Sequence, residues 1–251
     1  MVDINQLKEK LKEVIVIKPN LAQSNYIICM TNVLKDICLE MGFNKNNIEI
    51  LGNRINLKRF YPQYQDNYDK NIIRLLFTGR LEDQKNLHGV TDALHILRSK
   101  GYNFHLSICG YNYYSGYLEK CIKGLDKNEY SYFGAVKNRK LNNIYKSVDM
   151  YIGPSFFEGF QIPLVEALAA GKPCITSNQP PANEIINSAV GELINPFDAN
   201  SIAEGILKLK TRLNNDEERQ KISIECRKQA TEKWSFLVIT KKEADIYLKV
   251  I

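Results

Sequence analysis

The strongest constraint on this chain is a rhythm. From Asn71 onward, short apolar runs alternate with amphipathic stretches. Ile72-Ile73-Arg74-Leu75-Leu76-Phe77-Thr78 reads as a strand stopped by Gly79. Asn86 to Lys100 reads as a helix, with Leu87, Val90, Leu94 and Leu97 on one face and Gly101 just past its end. Phe104–Cys109 is a second strand, closed by Gly110, and Tyr130–Phe133 a third, closed by Gly134. Further strands are expected at Met150–Ile152, Cys174–Thr176 and Gly191–Ile194. Helices are expected at Leu141–Ser147, Leu164–Ala170, Ser201–Leu213, Glu217–Glu232 and Leu237–Val250. Strand and helix in alternation define an α/β fold, a Rossmann-like parallel sheet with helices on both faces. Such sheets bind ligands in the loops at the carboxyl ends of their strands.

The first 60 or so residues form a separate unit. Val14–Ile17, Tyr26–Cys29 and Ile48–Leu51 are strand-like, Thr31–Met41 is helical, and Gly42 follows that helix. Tyr61 to Lys70 is polar and irregular and reads as a linker. The expected division is 1–63, 64–235 and a closing helix over 236–251.

Composition removes several classes. A chain of 251 residues, 44% hydrophobic and 25% charged, has the balance of a globular protein, with room for one α/β domain or one and part of another. Its net charge of +6 suits anionic small ligands or a salt-sensitive attachment to an anionic membrane. No run of five basic residues and no basic, aromatic-rich face points to nucleic acid. The six cysteines lack C-x-x-C spacing, and several sit in apolar runs, so they are expected to be buried thiols in a reducing compartment. The start is no signal peptide, and no stretch nears the roughly 18 apolar residues of a spanning helix. The expected location is the cytoplasm, or at most the periphery of a membrane.

The sharpest segment is Ser155-Phe156-Phe157-Glu158-Gly159-Phe160-Gln161-Ile162-Pro163-Leu164-Val165-Glu166. Pro163 suits the first turn of a helix, where a missing N–H is no loss. A helix start offers free amides and partial positive charge, a seat for phosphate. Gly159 allows a ligand close to the backbone. Glu158 lies before the helix and Glu166 about one turn inside it, and each carboxylate can accept two hydrogen bonds from a vicinal diol. A solvated surface position explains either glutamate alone. The apolar helix Leu164-Val165-Ala167-Leu168 argues instead for burial, where a carboxylate needs a partner.

A second segment, Gly79-Arg80-Leu81-Glu82-Asp83-Gln84-Lys85-Asn86, follows the first strand of the main unit. Arg80 can hold phosphate oxygens with two parallel bonds, and Lys85 adds a compact charge. A solvated basic pair is the plain alternative. Val136 and Lys137, after Gly134, can touch a base through backbone atoms. Gly110 to Gly116 does not match G-x-G-x-x-G, so the nicotinamide fingerprint is missing. With no D-x-D pair or histidine cluster, no bound metal is expected. His88, His95 and His105 read as surface or structural residues.

Together these segments resemble the group 1, or family 4, retaining glycosyltransferases. The likeness rests on the Glu-x7-Glu pair Glu158 and Glu166, on Gly79-Arg80-Leu81 with Lys85-Asn86, on Glu166-Ala167-Leu168-Ala169-Ala170-Gly171-Lys172-Pro173, and on Asn183-Glu184. Ser24 to Phe60 is similar to the family's bridge between domains, so the resemblance covers nearly the whole chain. It implies a fold of two Rossmann-like domains, the first incomplete here. Residues 1–63 become the remnant of the acceptor-side domain, 64–235 the nucleotide-sugar donor domain, and 236–251 the helix that crosses back, with little to pack against.

Carried over by position, Arg80, Lys85 and Glu158 take the catalytic roles. Gly79, Val136, Gly159, Phe160, Gln161 and Glu166 bind the donor. Arg80, Lys85 and the amides near Phe160 and Gln161 neutralise the diphosphate, Glu166 holds the ribose and Glu158 the sugar. Transfer proceeds with retention, without a metal and with no cofactor besides the nucleotide-diphosphate sugar. The implied partners are that donor, a saccharide, lipid or protein acceptor, and a second chain supplying the missing domain. The family's glycine-rich acceptor loop and acceptor-side histidine are absent: no histidine precedes His88. A donor-binding module inactive alone is therefore the alternative. A sugar-nucleotide epimerase fits the Glu-x7-Glu context less well.

Overall fold

The computed structural model describes residues 26–63 and 68–250. The strand expected at Val14–Ile17 lies outside them. The first unit is a small parallel pair, β1 (Ile27–Cys29) and β2 (Ile48–Ile50), joined through α1 (Asn32–Glu40). Ile27, Cys29, Cys38 and Ile48 form its own buried cluster. Its last residues, Leu51, Ile55 and Phe60, belong instead to the large core of the main unit.

The main unit runs β3 (Ile72–Thr78), α2 (Leu87–Ser99), β4 (Asn103–Cys109), α3 (Tyr117–Cys121), β5 (Tyr130–Tyr132), α4 (Asn138–Ser147), β6 (Met150–Gly153), α5 (Ile162–Ala169), β7 (Cys174–Ser177), α6 (Ala182–Ile185), β8 (Gly191–Ile194), α7 (Ala199–Leu213), α8 (Asp216–Trp234) and α9 (Phe236–Val250). The expected rhythm holds. The short helices α3 and α6 were not foreseen, and α4 starts a turn earlier than Leu141. The six strands β3 to β8 lie in the order β5-β4-β3-β6-β7-β8, all parallel. Ile73, Leu75, Leu76 and Phe77 of β3 are all buried, because helices cover both faces of the sheet. All six cysteines are buried free thiols.

Helix α9 crosses back to the first unit. Its own Ile239 and Ile246 are buried, Arg54 pairs with its Glu243 at 2.7 Å, and its Lys249 with Glu49 at 2.7 Å. The closing helix therefore has more to pack on than its sequence implied. Arg227 of α8 donates to the carbonyls of Leu57, Phe60 and Ala169, which ties the connecting segment to the main unit.

At the carboxyl edge the strand ends are bonded to one another. Gly79 N–H donates to Cys109 O (3.0 Å), and Gly110 N–H donates to Gly134 O (2.8 Å). The contact is so close that a Cβ on Gly110 would stand 1.8 Å from the Gly79 carbonyl oxygen. Backbone faces backbone there, so no side-chain rotation relieves the overlap. Gly110→Ala is expected to cost about 1–3 kcal/mol of stability, the usual range for overpacking. Chemical denaturation checks it, and an unchanged midpoint refutes the close approach.

Candidate functional site

The strand order places the reversal of winding between β3 and β6. The chain moves outward from β3 through β4 to β5, then returns to the other side of β3 as β6. A crevice opens at such a switch point, at the carboxyl ends of the two central strands. The loops there are 79–86 after β3 and 154–161 after β6, the two segments singled out in the sequence.

These loops are bonded together. Phe156 N–H donates to Gln84 O (2.9 Å), and the Gln84 side-chain amide donates to Phe157 O (2.8 Å). Asn86 is the keystone. Buried, and held at φ 60°, it caps α2 by accepting from Gly89 N–H (3.1 Å). Its amide donates to Pro154 O (3.2 Å) and Pro196 O (2.7 Å). A Cβ on Gly89 would fall 2.5 Å from the Asn86 side chain, so this cap requires glycine at that position.

Within this frame Lys85 forms an ion pair with Glu158. Both are largely shielded from solvent. A Cβ at Gly79 would touch the Lys85 methylenes at 3.5–3.6 Å, so the bare Gly79 backbone flanks the lysine stem. Three expected site residues thus meet: Gly79, Lys85 and Glu158. Arg80 stands apart. It pairs with Glu82 at 2.9 Å and its side chain is 58% exposed.

The loop enters α5 with Pro163 in the first turn. The amides of Gly159, Phe160 and Gln161 have no acceptor among the described residues. A Cβ at Gly159 would meet nothing within 4 Å, so packing alone does not demand glycine there. Gln161 is a structural side chain. Its amide donates to Gly153 O (2.9 Å), and its oxygen accepts from the Thr176 hydroxyl (3.2 Å), which leaves its backbone alone to face the crevice. Phe160 is half-buried beside Gly52 of the first unit, and Thr31 reaches the Gly159 carbonyl at 3.5 Å. Glu184 receives two hydrogen bonds from Asn32, at 3.1 and 2.8 Å. Val136 is half-buried against the core at the end of the β5 loop.

Glu166 sits deeper, 8% exposed. Its Oε2 accepts from the Tyr145 hydroxyl at 3.2 Å, but that single proton is shared with Pro163 O at the same distance. Burial pushes its carboxyl up to about 7; the Tyr145 hydrogen bond and the charge of Arg59 pull partly against this. A carboxylate so placed is short of hydrogen-bond donors. Sequence reading missed Asn86 as keystone and Tyr145 as the partner of Glu166. An asparagine before an apolar periodic run is itself a helix-start signal. No local signal marks Tyr145.

A doubly wound parallel sheet with paired charges and a helix start at its switch point defines the class, an α/β protein of Rossmann-like fold. The model of the glycosyl transferases group 1 matches residues 62–229, and the chain belongs to that family. It is 26% identical over 254 residues to the capsular polysaccharide biosynthesis glycosyltransferase CapM of Staphylococcus aureus, covering 98% of this chain and 61% of that protein. It is 25% identical over 248 residues to the UDP-Gal:alpha-D-GlcNAc-diphosphoundecaprenol alpha-1,3-galactosyltransferase of Escherichia coli, covering 90% and 60%. The chain thus spans about three fifths of the length of these curated relatives. A glycosyltransferase structure from Rickettsia africae ESF-5 shares the fold with a TM-score of 0.79 at 20% identity, covering 90% of this chain and 63% of that one.

The raised Glu166 carboxyl has a consequence for stability. Between its ordinary value of 4.5 and about 7 the folded chain holds this proton better than the unfolded chain does. The contribution of Glu166 therefore falls as pH rises through that window and is level above it. Glu166→Gln is expected to match the parent at about pH 4 and to exceed it by on the order of 1–3 kcal/mol at about pH 8. Urea unfolding at both values checks this, and an equal difference at both would contradict it.

Proposed function

We propose that this chain is the donor-binding part of a glycosyltransferase that moves a sugar from a nucleoside-diphosphate sugar to an acceptor with retention of configuration. The observation that carries the reading is the Lys85–Glu158 pair beside the start of α5, at the switch point of the sheet. An ammonium has three donors, so Lys85 can serve Glu158 and a phosphate oxygen together. The amides of Gly159, Phe160 and Gln161 add donors where the charge of a departing diphosphate grows. Arg80 needs only to leave Glu82 to join them. Glu158 orients the transferred sugar, Glu166 takes the ribose hydroxyls, and the backbone at Val136 meets the base. No cofactor besides the donor enters this reading.

A second reading has this chain bind the donor without turning it over by itself. A donor-hydrolysis screen over common nucleotide sugars separates the two, because turnover by this chain alone requires the first.

Titration calorimetry tests the binding roles. A nucleoside diphosphate is expected to bind about tenfold or more tighter than its monophosphate. Lys85→Ala should erase most of that preference, since it acts on the second phosphate. Glu166→Ala should weaken both ligands alike, by about 1–3 kcal/mol, since both carry the ribose. Equal affinity of the two nucleotides in the parent chain removes the Lys85 assignment, and unchanged binding by Glu166→Ala removes the ribose assignment.

A further inference from the structure

Beside the crevice, the end of β5 and the loops after β4 and β5 carry five aromatic side chains that are not buried. Tyr111, Tyr113, Tyr114, Tyr132 and Phe133 are each between 39 and 62% exposed. They form one surface, because the two loops are bonded together. The Tyr132 hydroxyl donates to Gly110 O (3.0 Å), Gly110 N–H donates to Gly134 O (2.8 Å), and the Tyr111 and Tyr113 rings lie 4.3 Å apart. Exposing that much ring area has a solvation cost, and clustered apolar exposure marks an interaction surface.

The charge beside it breaks a local rule. Helix α4 starts just after Phe133-Gly134-Ala135-Val136, with Lys137 at its cap and Arg139 and Lys140 in its first turn. The macrodipole favours anions there, yet the first turn has no acidic residue and the cap makes no side-chain bond. Lys137, Arg139 and Lys140 are all exposed and pair with no carboxylate among the described residues. Of the neighbouring acids, Glu82 is paired with Arg80 at 2.9 Å. What remains is an aromatic tip with uncompensated cations.

We propose that this face, Tyr111, Tyr113, Tyr114, Tyr132 and Phe133 with Lys137, Arg139 and Lys140, docks peripherally on an anionic lipid surface. Amphipathic rings settle at the headgroup level, and cations beside them gain from the negative surface potential. No helix among the described residues is long and apolar enough to cross a membrane, so the contact is one of surface attachment. The face adjoins the crevice: Leu81 N–H, next to Arg80, donates to Tyr111 O (3.0 Å). Docking therefore turns the edge of the crevice toward the lipid. The inference does not depend on the assigned donor chemistry.

Co-sedimentation of the full chain with vesicles tests it. One set is phosphatidylcholine alone, and in the other about a third of the lipid is phosphatidylglycerol. The chain is expected on the anionic vesicles at low salt, not on the neutral ones, and to be released as salt rises. Arg139→Glu with Lys140→Glu should reduce partition about tenfold or more, two cations having been reversed. That change also gives α4 the first-turn charge its dipole favours, so its thermal midpoint should hold or rise, which separates lost docking from lost folding. Tyr113→Ser with Phe133→Ser should likewise reduce partition while nucleotide affinity is kept. Failure to bind anionic vesicles at low salt overturns the proposal, as does partition insensitive to both double variants. Retention on an immobilised anionic polysaccharide without vesicle binding overturns it in favour of a saccharide surface.

Discussion

A parallel sheet wound outward from its centre cannot cover the ends of its two middle strands. Each crossover carries the chain sideways over one face, and at β3 and β6 the crossovers depart in opposite directions. The crevice is thus a consequence of topology, present before any side chain is chosen. Sequence decides only what lines it. Here Gln84 and Asn86 bind the two bordering loops to one another, so Lys85 and Glu158 meet although 73 residues separate them.

The lining combines two electrostatic situations of opposite cost. Lys85 and Glu158 satisfy each other at the crevice, so neither charge is left without a partner. Glu166 is not so supported. Its buried carboxyl has a shared hydroxyl proton and the charge of Arg59 to offset desolvation, and stability falls as pH rises from 4.5 to about 7. A core position occupied by an apolar side chain would avoid that cost. Retaining a carboxylate in a helix otherwise lined by Leu164, Val165, Ala167 and Leu168 makes sense when a ligand supplies the missing donors.

The same physics explains which parts were legible in the sequence. The strands of the main unit could be read because burial on both faces forces continuous apolar runs, and β3 was placed residue for residue. Helices α3 and α6, of five and four residues, are too short to show a period. The start of α4 was missed because Lys137-Asn138-Arg139-Lys140 has no apolar position to show a period, and its asparagine stands one residue inside a helix whose cap is Lys137. The loops of the site were legible as motifs, since glycine, proline and paired charges at strand ends have few other uses. The contacts that set their electrostatics were not. Tyr145 reaches Glu166 across 21 residues, and Arg80 turns to Glu82, because such choices are made by packing in three dimensions.

The failure at α4 and the success at α5 come from one rule applied to two helix starts. α5 begins with proline in its first turn and free amides before it, an arrangement that asks for an anion and lies at the switch point. α4 begins with cations crowded on its positive end, which raises local potential instead of relieving it. Both starts lie at the carboxyl side of the sheet, so the two positive potentials add on one side of the molecule. The diphosphate proposed for the start of α5 and the lipid surface proposed for the start of α4 therefore need not compete for one place.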